Sequence, residues 1–168
     1  MGQRPLWVAA AADAAAWSCV QLGAGYLAHR LPDRVLEADG WLLRERAWER
    51  RGRFYVETAR IRRWKGLLPE AGAFFAGGMS KRTLAGRTST DLARLARETR
   101  RAELAHWMMM VPTPVFIACN RAMLAPFMPL YALAVNVPCI AAQRYNRIRL
   151  RRAAARVPAA TSRVRRPG

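Results

Sequence analysis

The sequence predicts an all-α integral membrane protein with about three membrane helices, and two observations support this fold class. The chain of 168 residues carries a formal net charge of +18, yet 52% of its residues are hydrophobic. A disordered basic chain would be poor in apolar residues, and a soluble nucleic-acid-binding domain would not need long uncharged apolar segments. The basic and the apolar residues also occupy separate segments of the chain, as they do in membrane proteins.

The apolar residues form three runs. Residues 6–28 contain a single charged side chain, Asp13, and residues 122–142 contain none. Both runs are long enough to cross a hydrocarbon core of about 30 Å as helices. Residues 104–119 form a shorter run that includes His106, but the helix-favouring residues before them can extend the same helix. Five prolines in the last two runs predict kinked helices, and a re-entrant second segment is the alternative to a full span.

The positions of the basic residues predict the topology. Of the 29 lysines and arginines, 18 lie from Arg30 to Arg101 and nine from Arg144 to Arg166. Three spans place both regions on one side of the membrane, and the positive-inside rule identifies that side as the cytoplasm. We therefore expect a multi-pass protein of the cell membrane with a cytoplasmic loop and C-terminus. Binding of nucleic acid is not needed to explain the charge, so no nucleic-acid partner is expected.

This topology divides the chain into four parts. They are an N-terminal membrane anchor or uncleaved signal (residues 1–28), a cytoplasmic loop with amphipathic helices (29–103), a helical membrane hairpin (104–142) and a basic cytoplasmic tail (143–168). A cleaved signal peptide is the alternative for the first part. Within the loop, residues 52–64 interleave aromatic and arginine side chains. That pattern is typical of a helix on anionic lipid, or of a helix packed on the protein with a solvated basic face.

Glu103 and His106 are the candidate catalytic pair. Three residues apart on a helix, they share a face. A carboxylate beside an imidazole can orient the ring and raise its basicity, which a general base needs in order to take a hydroxyl proton. His106 also lies where the amphipathic helix enters the membrane, a depth that suits a lipid substrate with a polar head. A purely structural hydrogen bond between the two side chains is the alternative, and no metal-ligand spacing is present.

Six short motifs follow one another along most of the chain. They are W-S-C-V-Q-L from Trp17, R-L-P-D from Arg30, R-R-W-K from Arg62, T-R-R-A-E-L-A-H-W from Thr99, N-V-P from Asn136 and Q-R-Y-N-R-I-R-L from Gln143. With these motifs the sequence resembles the glycosyl-4,4'-diaponeurosporenoate acyltransferases, small bacterial membrane enzymes that esterify the glucose of a staphyloxanthin-type carotenoid. The resemblance implies acyl transfer to a sugar hydroxyl of a glycosylated carotenoid or related glycolipid at the cytoplasmic membrane face.

Within that activity we expect His106 to be the general base and Glu103 to orient it. Three arginines would hold an anionic donor or stabilise the developing oxyanion: Arg101, Arg144 and Arg147. Four polar side chains would contact the sugar: Asn136, Gln143, Tyr145 and Asn146.

The resemblance also implies the other molecules involved. We expect no bound cofactor, and acyl-CoA or another activated acyl donor as co-substrate. The expected partners are membrane lipid, the glycosylated carotenoid and other enzymes of the carotenoid pathway. The alternative function is that of a non-catalytic membrane scaffold or an anionic-lipid-binding protein.

Overall fold

The computed structural model describes residues 5–68, 88–120 and 122–157, and the regular structure in these ranges is entirely helical. The predicted all-α fold class is therefore confirmed. The α-helices are α1 (Leu6–Arg30), α2 (Asp33–Glu37), α3 (Arg53–Glu57), α4 (Ile61–Trp64), α5 (Ser89–Met110), α6 (Thr113–Cys119) and α7 (Phe127–Ala154), with two 3-10 segments, Ala47–Gly52 and Lys65–Leu67.

Helix α1 comprises 25 residues and is about 37 Å long at 1.5 Å per residue. It ends where Leu31 turns extended and Pro32 follows. The last carbonyls of a helix lack partners within the helix. Here Nη1 of Arg101 donates to the carbonyl oxygens of Ala28, His29 and Leu31 at 2.8, 2.9 and 2.9 Å. Arg101 thus fastens α5 to the end of α1.

Helix α5 begins with a capping box. The hydroxyl of Thr88 accepts a hydrogen bond from the backbone N–H of Asp91 at 3.2 Å, and the Asp91 carboxylate accepts from the backbone N–H of Thr88 at 3.1 Å. The helix is interrupted at Val111 and Pro112 and continues as α6. The kink that the prolines predict is therefore present here.

Helices α5 and α7 form the central pair of the fold. On α7 the buried residues facing this interface recur every three or four positions, which is the spacing of one helical face. They are Ala132, Asn136, Ile140, Arg144 and Arg147. Helix α1 packs against α5, and its Trp17 ring stacks on Phe116 of α6 with the ring centroids 4.3 Å apart. Three long helical segments therefore lie side by side.

The helix considered for residues 52–64 is not continuous. Helix α3 ends at Glu57, Arg60 adopts a left-handed conformation with φ 48°, and α4 starts at Ile61. Tyr55 and Ile61 are buried against Tyr145 of α7 and its neighbours. The segment is thus packed on the protein through its apolar side chains, which leaves its arginines at the surface.

Large apolar side chains are exposed along α1, α6 and the first half of α7. Leu22 of α1, Val111 between α5 and α6, and Leu130 of α7 expose 72%, 74% and 62% of their surface. Among the described residues, one helical stretch, Ser89–Cys119, has both the length and the apolar composition needed to cross a membrane. The three predicted spans are therefore not confirmed, whereas the helical fold is.

The four predicted parts of the chain stay a prediction, and each proposed boundary falls within a helix. Helix α1 continues past residue 28 to Arg30, α5 runs through residue 103, and α7 runs through residue 142 to Ala154. Part of the predicted loop and part of the predicted tail lie outside the described residues, at positions 69–87 and 158–168.

Candidate active site

Glu103 of α5 lies fully buried between two arginines of α7. Its Oε1 accepts a hydrogen bond from Nε of Arg144 at 2.7 Å, and its Oε2 accepts from Nη1 of Arg147. Nε1 of Trp107 lies 3.4 Å from Oε1. Carboxylate and guanidinium thus neutralise each other where neither reaches water, which is the condition under which buried charges are tolerated.

A second buried carboxylate, Glu49, extends this network. Its Oε1 accepts hydrogen bonds from the hydroxyl of Tyr55 at 2.6 Å and from Nη1 of Arg144 at 3.3 Å. Its Oε2 accepts from the backbone N–H of Arg46. Burial, and then the hydrogen bond to the Glu49 carboxylate, raise the pKa of Tyr55 well above its ordinary value. The tyrosine therefore stays a hydrogen-bond donor.

The two arginines also hold the segment that precedes Glu49. Nη2 of Arg144 donates to the carbonyl oxygen of Leu42, and Nη2 of Arg147 donates to that of Leu43 at 2.8 Å. We call Glu49, Glu103, Arg144 and Arg147 the buried ionic network. Its two negative and two positive charges balance, and it joins α5, α7 and the segment before α3.

His106 lies one turn beyond Glu103 on α5 and contacts a different partner. Its Nδ1 is 3.0 Å from Oδ1 of Asn136, and Nδ2 of Asn136 donates to the carbonyl oxygen of Ala132 at 2.9 Å. Because the amide N–H is committed to that carbonyl, the amide oxygen faces the ring, so Nδ1 must carry the proton. Nε2 is then the basic nitrogen, and it has no hydrogen-bond partner among the described residues.

The predicted contact between Glu103 and His106 is therefore wrong. Both oxygens of Glu103 bind Arg144, Arg147 and Trp107, and Asn136 orients the imidazole instead. The physical reason is the pairing of charges: a fully buried carboxylate is satisfied better by two guanidiniums than by one neutral ring. The catalytic roles proposed for these residues are separate from this contact and stay predictions.

The other predicted site residues lie in several different places. Arg144 and Arg147 lie in the buried ionic network, and Asn136 lies beside His106. Arg101 lies at the end of α1, where Nη2 also contacts Oδ1 of Asp33 at 3.3 Å. Gln143 is half-buried on α7.

Tyr145 and Asn146 lie on another side of α7. Tyr145 is buried with Tyr55 and Ile148, and its hydroxyl is 3.4 Å from Nε of Arg62. Oδ1 of Asn146 accepts from Nζ of Lys65 at 3.3 Å. The structure thus brings one predicted sugar-binding residue, Asn136, to His106 but places Tyr145 and Asn146 with the short helices α3 and α4.

Two participants were missed from the sequence, Glu49 and Tyr55. Glu49 stands among arginines in A-W-E-R-R-G-R, a composition that by itself indicates a solvated ion pair. No local feature of the sequence shows that this carboxylate is buried, because its partner Arg144 lies 95 residues later in the chain. The hydrogen-bonded pair of Tyr55 and Glu49 spans six residues, a spacing that no regular helix brings together.

An apolar groove of about 560 Å³ opens beside the buried ionic network. Leu42 and Leu43, whose carbonyls bind the arginines, line it together with Leu104, which lies next to Glu103 on α5. The remaining lining residues are Arg34, Val35, Ala38, Gly40 and Trp41. Arg34 is the charged member of this set, so most of the groove wall is apolar.

Comparison with known proteins identifies the family. The family model described as glycosyl-4,4'-diaponeurosporenoate acyltransferase matches residues 39–156. A protein of this name from Staphylococcus haemolyticus is 35% identical over 135 residues, which cover 80% of this chain and 78% of the relative. Two from Staphylococcus aureus, strains bovine RF122 and N315, are 31% and 30% identical over 80% of this chain and 81% of each relative.

No solved structure shows significant similarity to the chain. The matched family range contains the buried ionic network, His106 and Asn136. The chain therefore belongs to the glycosyl-4,4'-diaponeurosporenoate acyltransferase family, and it is an acyltransferase.

Proposed function

We propose that this acyltransferase works in the membrane and esterifies a sugar hydroxyl of a glycosylated carotenoid, or of a related glycolipid, with a fatty acyl group. The family names support the reaction. The observation that carries the proposal is the pair of His106 and Asn136. The amide of Asn136 holds the Nδ1 proton of the imidazole, and Nε2 has no partner among the described residues. The ring is therefore arranged as a general base.

The surface of the long helices supports a membrane location. Apolar side chains on α1, α6 and α7 are exposed to an extent that is unusual for a water-soluble surface. The arginines, in contrast, lie mainly between α1 and α5 and after residue 143. In the proposed arrangement α1, α5 with α6, and α7 cross the bilayer, and the loop and tail face the cytoplasm. His106 then lies near the cytoplasmic boundary of the hydrocarbon core.

In the proposed reaction, each bond that forms is matched by a bond that breaks. The oxygen of the sugar hydroxyl attacks the carbonyl carbon of an acyl thioester while Nε2 of His106 takes the hydroxyl proton. A carbon–oxygen bond forms, the carbon–sulfur bond breaks, and the proton passes from the imidazolium to the departing thiolate. The products are a sugar ester and a free thiol. His106 is the catalytic residue, and Asn136 is a positioning residue that holds the ring.

The apolar groove is the proposed location of the acyl chain. Its wall residue Leu104 is two positions from His106 on α5, so the groove and the imidazole lie at the same level along α5 but on different faces of it. The buried ionic network fixes the groove, because Arg144 and Arg147 bind the carbonyls of Leu42 and Leu43. We therefore assign Glu49, Glu103, Arg144 and Arg147 to the scaffold of the site.

The test uses purified full-length protein in lipid nanodiscs with an isotope-labelled fatty acyl-CoA and the glucosylated carotenoid acid. Mass spectrometry should detect the labelled sugar ester with the wild type and lose it with His106→Ala at a normal protein level. Glu45→Gln, which changes an exposed side chain, is the matched control. Ester formation that is unchanged in His106→Ala removes His106 from the mechanism. Absence of transfer by the wild type, with loss of the ester in a deletion strain, indicates the scaffold function instead.

A further inference from the structure

A second pocket of about 250 Å³ lies on the opposite side of α7 from the pair of His106 and Asn136. Among the described residues, five arginines line it and Glu57 is its one acidic residue. We call these arginines the arginine pocket: Arg51, Arg53, Arg62, Arg149 and Arg152. The pocket is formed by residues from the 3-10 segment Ala47–Gly52, α3, α4 and the C-terminal part of α7.

The positive charge of the arginine pocket is largely uncompensated. Glu57 is paired with Arg53, with Nε and Oε1 2.9 Å apart. Within the described residues the other four arginines form no ion pair. Arg152 donates to the carbonyl oxygen of Arg51 at 3.3 Å, and Arg149 lies over the ring of Tyr145. A pocket in which guanidiniums outnumber carboxylates favours binding of an anion.

The backbone that forms one wall is strained. Arg50, Arg51 and Gly52 adopt the left-handed conformation in succession, with φ of 49°, 54° and 89°. For a residue with a side chain this conformation costs roughly 1 kcal/mol or more, and such strain is concentrated at functional sites. A Cβ atom at Gly52 would lie 3.4 Å from Cγ2 of Ile148. The backbone of this segment thus approaches α7 closely at the place where Arg51 and Arg53 line the same pocket as Arg149 and Arg152.

The position of the pocket along α7 restricts its ligand. Arg149 is 13 residues beyond Asn136 (149 − 136), which is about 20 Å along a helix at 1.5 Å per residue. The acyl ester of a phospholipid lies only a few bonds from its phosphate, so it could not reach His106 from this pocket. A thioester of coenzyme A carries its phosphates at the far end of a long pantetheine arm, so its thioester can lie far from the pocket, both along α7 and around it.

We propose that the arginine pocket binds the phosphate groups of the acyl donor, a coenzyme A thioester, while the acyl chain lies toward His106. This rests on the proposed function, because it assigns a donor to the same reaction. Arginine suits the role, since its planar guanidinium forms paired, charge-assisted hydrogen bonds with phosphate oxygens. The pocket recognises phosphate, and a phospholipid headgroup is the other possible source of a phosphate ligand.

The test measures binding of coenzyme A to the full chain in phosphatidylcholine nanodiscs by calorimetry. Arg149→Ala/Arg152→Ala removes two exposed pocket cations, and Arg44→Ala/Arg63→Ala removes two exposed arginines outside the pocket. Losing two charged hydrogen-bond donors should weaken binding at least about tenfold in the pocket variant, with the control near the wild type. The KM for acyl-CoA should rise in the pocket variant with kcat little changed.

Several outcomes separate this proposal from the proposed function. Equal weakening in both double variants would show a general charge effect and overturn the pocket. A second outcome is that the wild type binds no coenzyme A while the pocket variant loses affinity for phosphatidylglycerol vesicles. This result would assign the pocket to lipid headgroups and overturn the proposal that it binds the acyl donor. Acyl transfer with an unchanged KM in the pocket variant overturns the pocket and leaves the function standing. Pocket-dependent binding of coenzyme A without any transfer supports the pocket and overturns the function.

Discussion

The amide oxygen of Asn136 on α7 accepts the Nδ1 proton of His106 on α5 at 3.0 Å. Rotation of the amide by 180° would break a hydrogen bond, because its nitrogen donates to the carbonyl oxygen of Ala132 one turn earlier on the same helix. Asn136 thus sets the tautomer and the direction of the ring from a neighbouring helix. An orienting group of this kind is typical of histidines that act as bases.

We therefore expect Asn136→Ala and His106→Ala to reduce kcat to different extents. Removal of a general base should cost about 100-fold or more in kcat. Loss of the orienting amide should cost roughly 10- to 100-fold, by analogy with groups that orient metal-bound histidines. The KM for the acyl donor should be little changed in both variants. Steady-state kinetics in nanodiscs measures this, and a normal kcat for Asn136→Ala would contradict the positioning role.

The helical fold and some members of the candidate site could be predicted from the sequence, for identifiable reasons. Long apolar runs and helix-favouring segments are local features, and His106 stands out as a histidine at the edge of such a run. The partner of His106 is not local. A spacing of three residues suggested Glu103, but on α5 that carboxylate turns to Arg144 and Arg147, which lie 41 and 44 residues away. A pattern on one helix does not show which neighbour satisfies a buried charge.

The pattern of charges in the sequence also did not distinguish buried arginines from exposed ones. Arg147 is fully buried and bound to a carboxylate, whereas Arg149 is exposed two positions later. Both belong to one run of basic residues, Q-R-Y-N-R-I-R-L-R-R. Helical periodicity could have separated them, because positions 144 and 147 share a face with Asn136 and Ile140, and Arg149 does not. The burial of Glu49 had no comparable local signal.

Glu103→Gln should destabilise the fold strongly. It leaves the guanidiniums of Arg144 and Arg147 buried with one carboxylate, Glu49, in place of two. Breaking a buried pair by removing one partner costs about 3–5 kcal/mol. The exposed control Glu45→Gln should change stability by less than about 0.5 kcal/mol. Thermal unfolding in detergent compares the two variants.

The same variant separates a structural role of Glu103 from a catalytic one. Because its carboxylate binds arginines and does not contact His106, the kcat per folded molecule at low temperature should fall less in Glu103→Gln than in His106→Ala. Equal losses of kcat in the two variants, with the stability of Glu103→Gln unchanged, would return Glu103 to the catalytic mechanism.

Leu104→Trp should shorten the acyl chains that the enzyme accepts. Leu104 lines the apolar groove and is partly exposed, so a larger side chain can enter the groove without displacing the core. Each methylene excluded from an apolar site costs about 0.8 kcal/mol of binding. Competition between short and long acyl-CoA substrates, read by mass spectrometry of the esters, should show a preference for shorter chains. The same change at exposed Leu67, outside the groove, should leave the preference unaltered.

The proposed topology can be tested with engineered cysteines. In a variant whose three cysteines are replaced, single cysteines at positions 44 and 149 should react with a membrane-impermeant maleimide in inside-out vesicles and not in intact cells. Both positions are exposed, so reactivity reports the side of the membrane. Labelling of the two positions from opposite sides would contradict three spans, and release of the protein by alkaline carbonate would contradict an integral membrane protein.

Tyr55→Phe should remove one stabilising hydrogen bond and also change how stability depends on pH. Below about pH 10, the ordinary pKa of tyrosine, the lost bond to the charged Glu49 should cost roughly 1.5–3 kcal/mol.

At higher pH the sign of the dependence follows from linkage. Burial and the Glu49 carboxylate raise the pKa of Tyr55 in the folded protein, so above about pH 10 the unfolded chain loses the proton that the folded chain keeps. The contribution of Tyr55 is therefore complete below that pH and decreases as the pH rises. The difference in free energy of unfolding between wild type and Tyr55→Phe should narrow between pH 9 and 11, on the order of 1 kcal/mol at the upper end. Chemical denaturation in detergent at several pH values measures this, and a difference that widens with pH would contradict the burial of a neutral Tyr55 against Glu49.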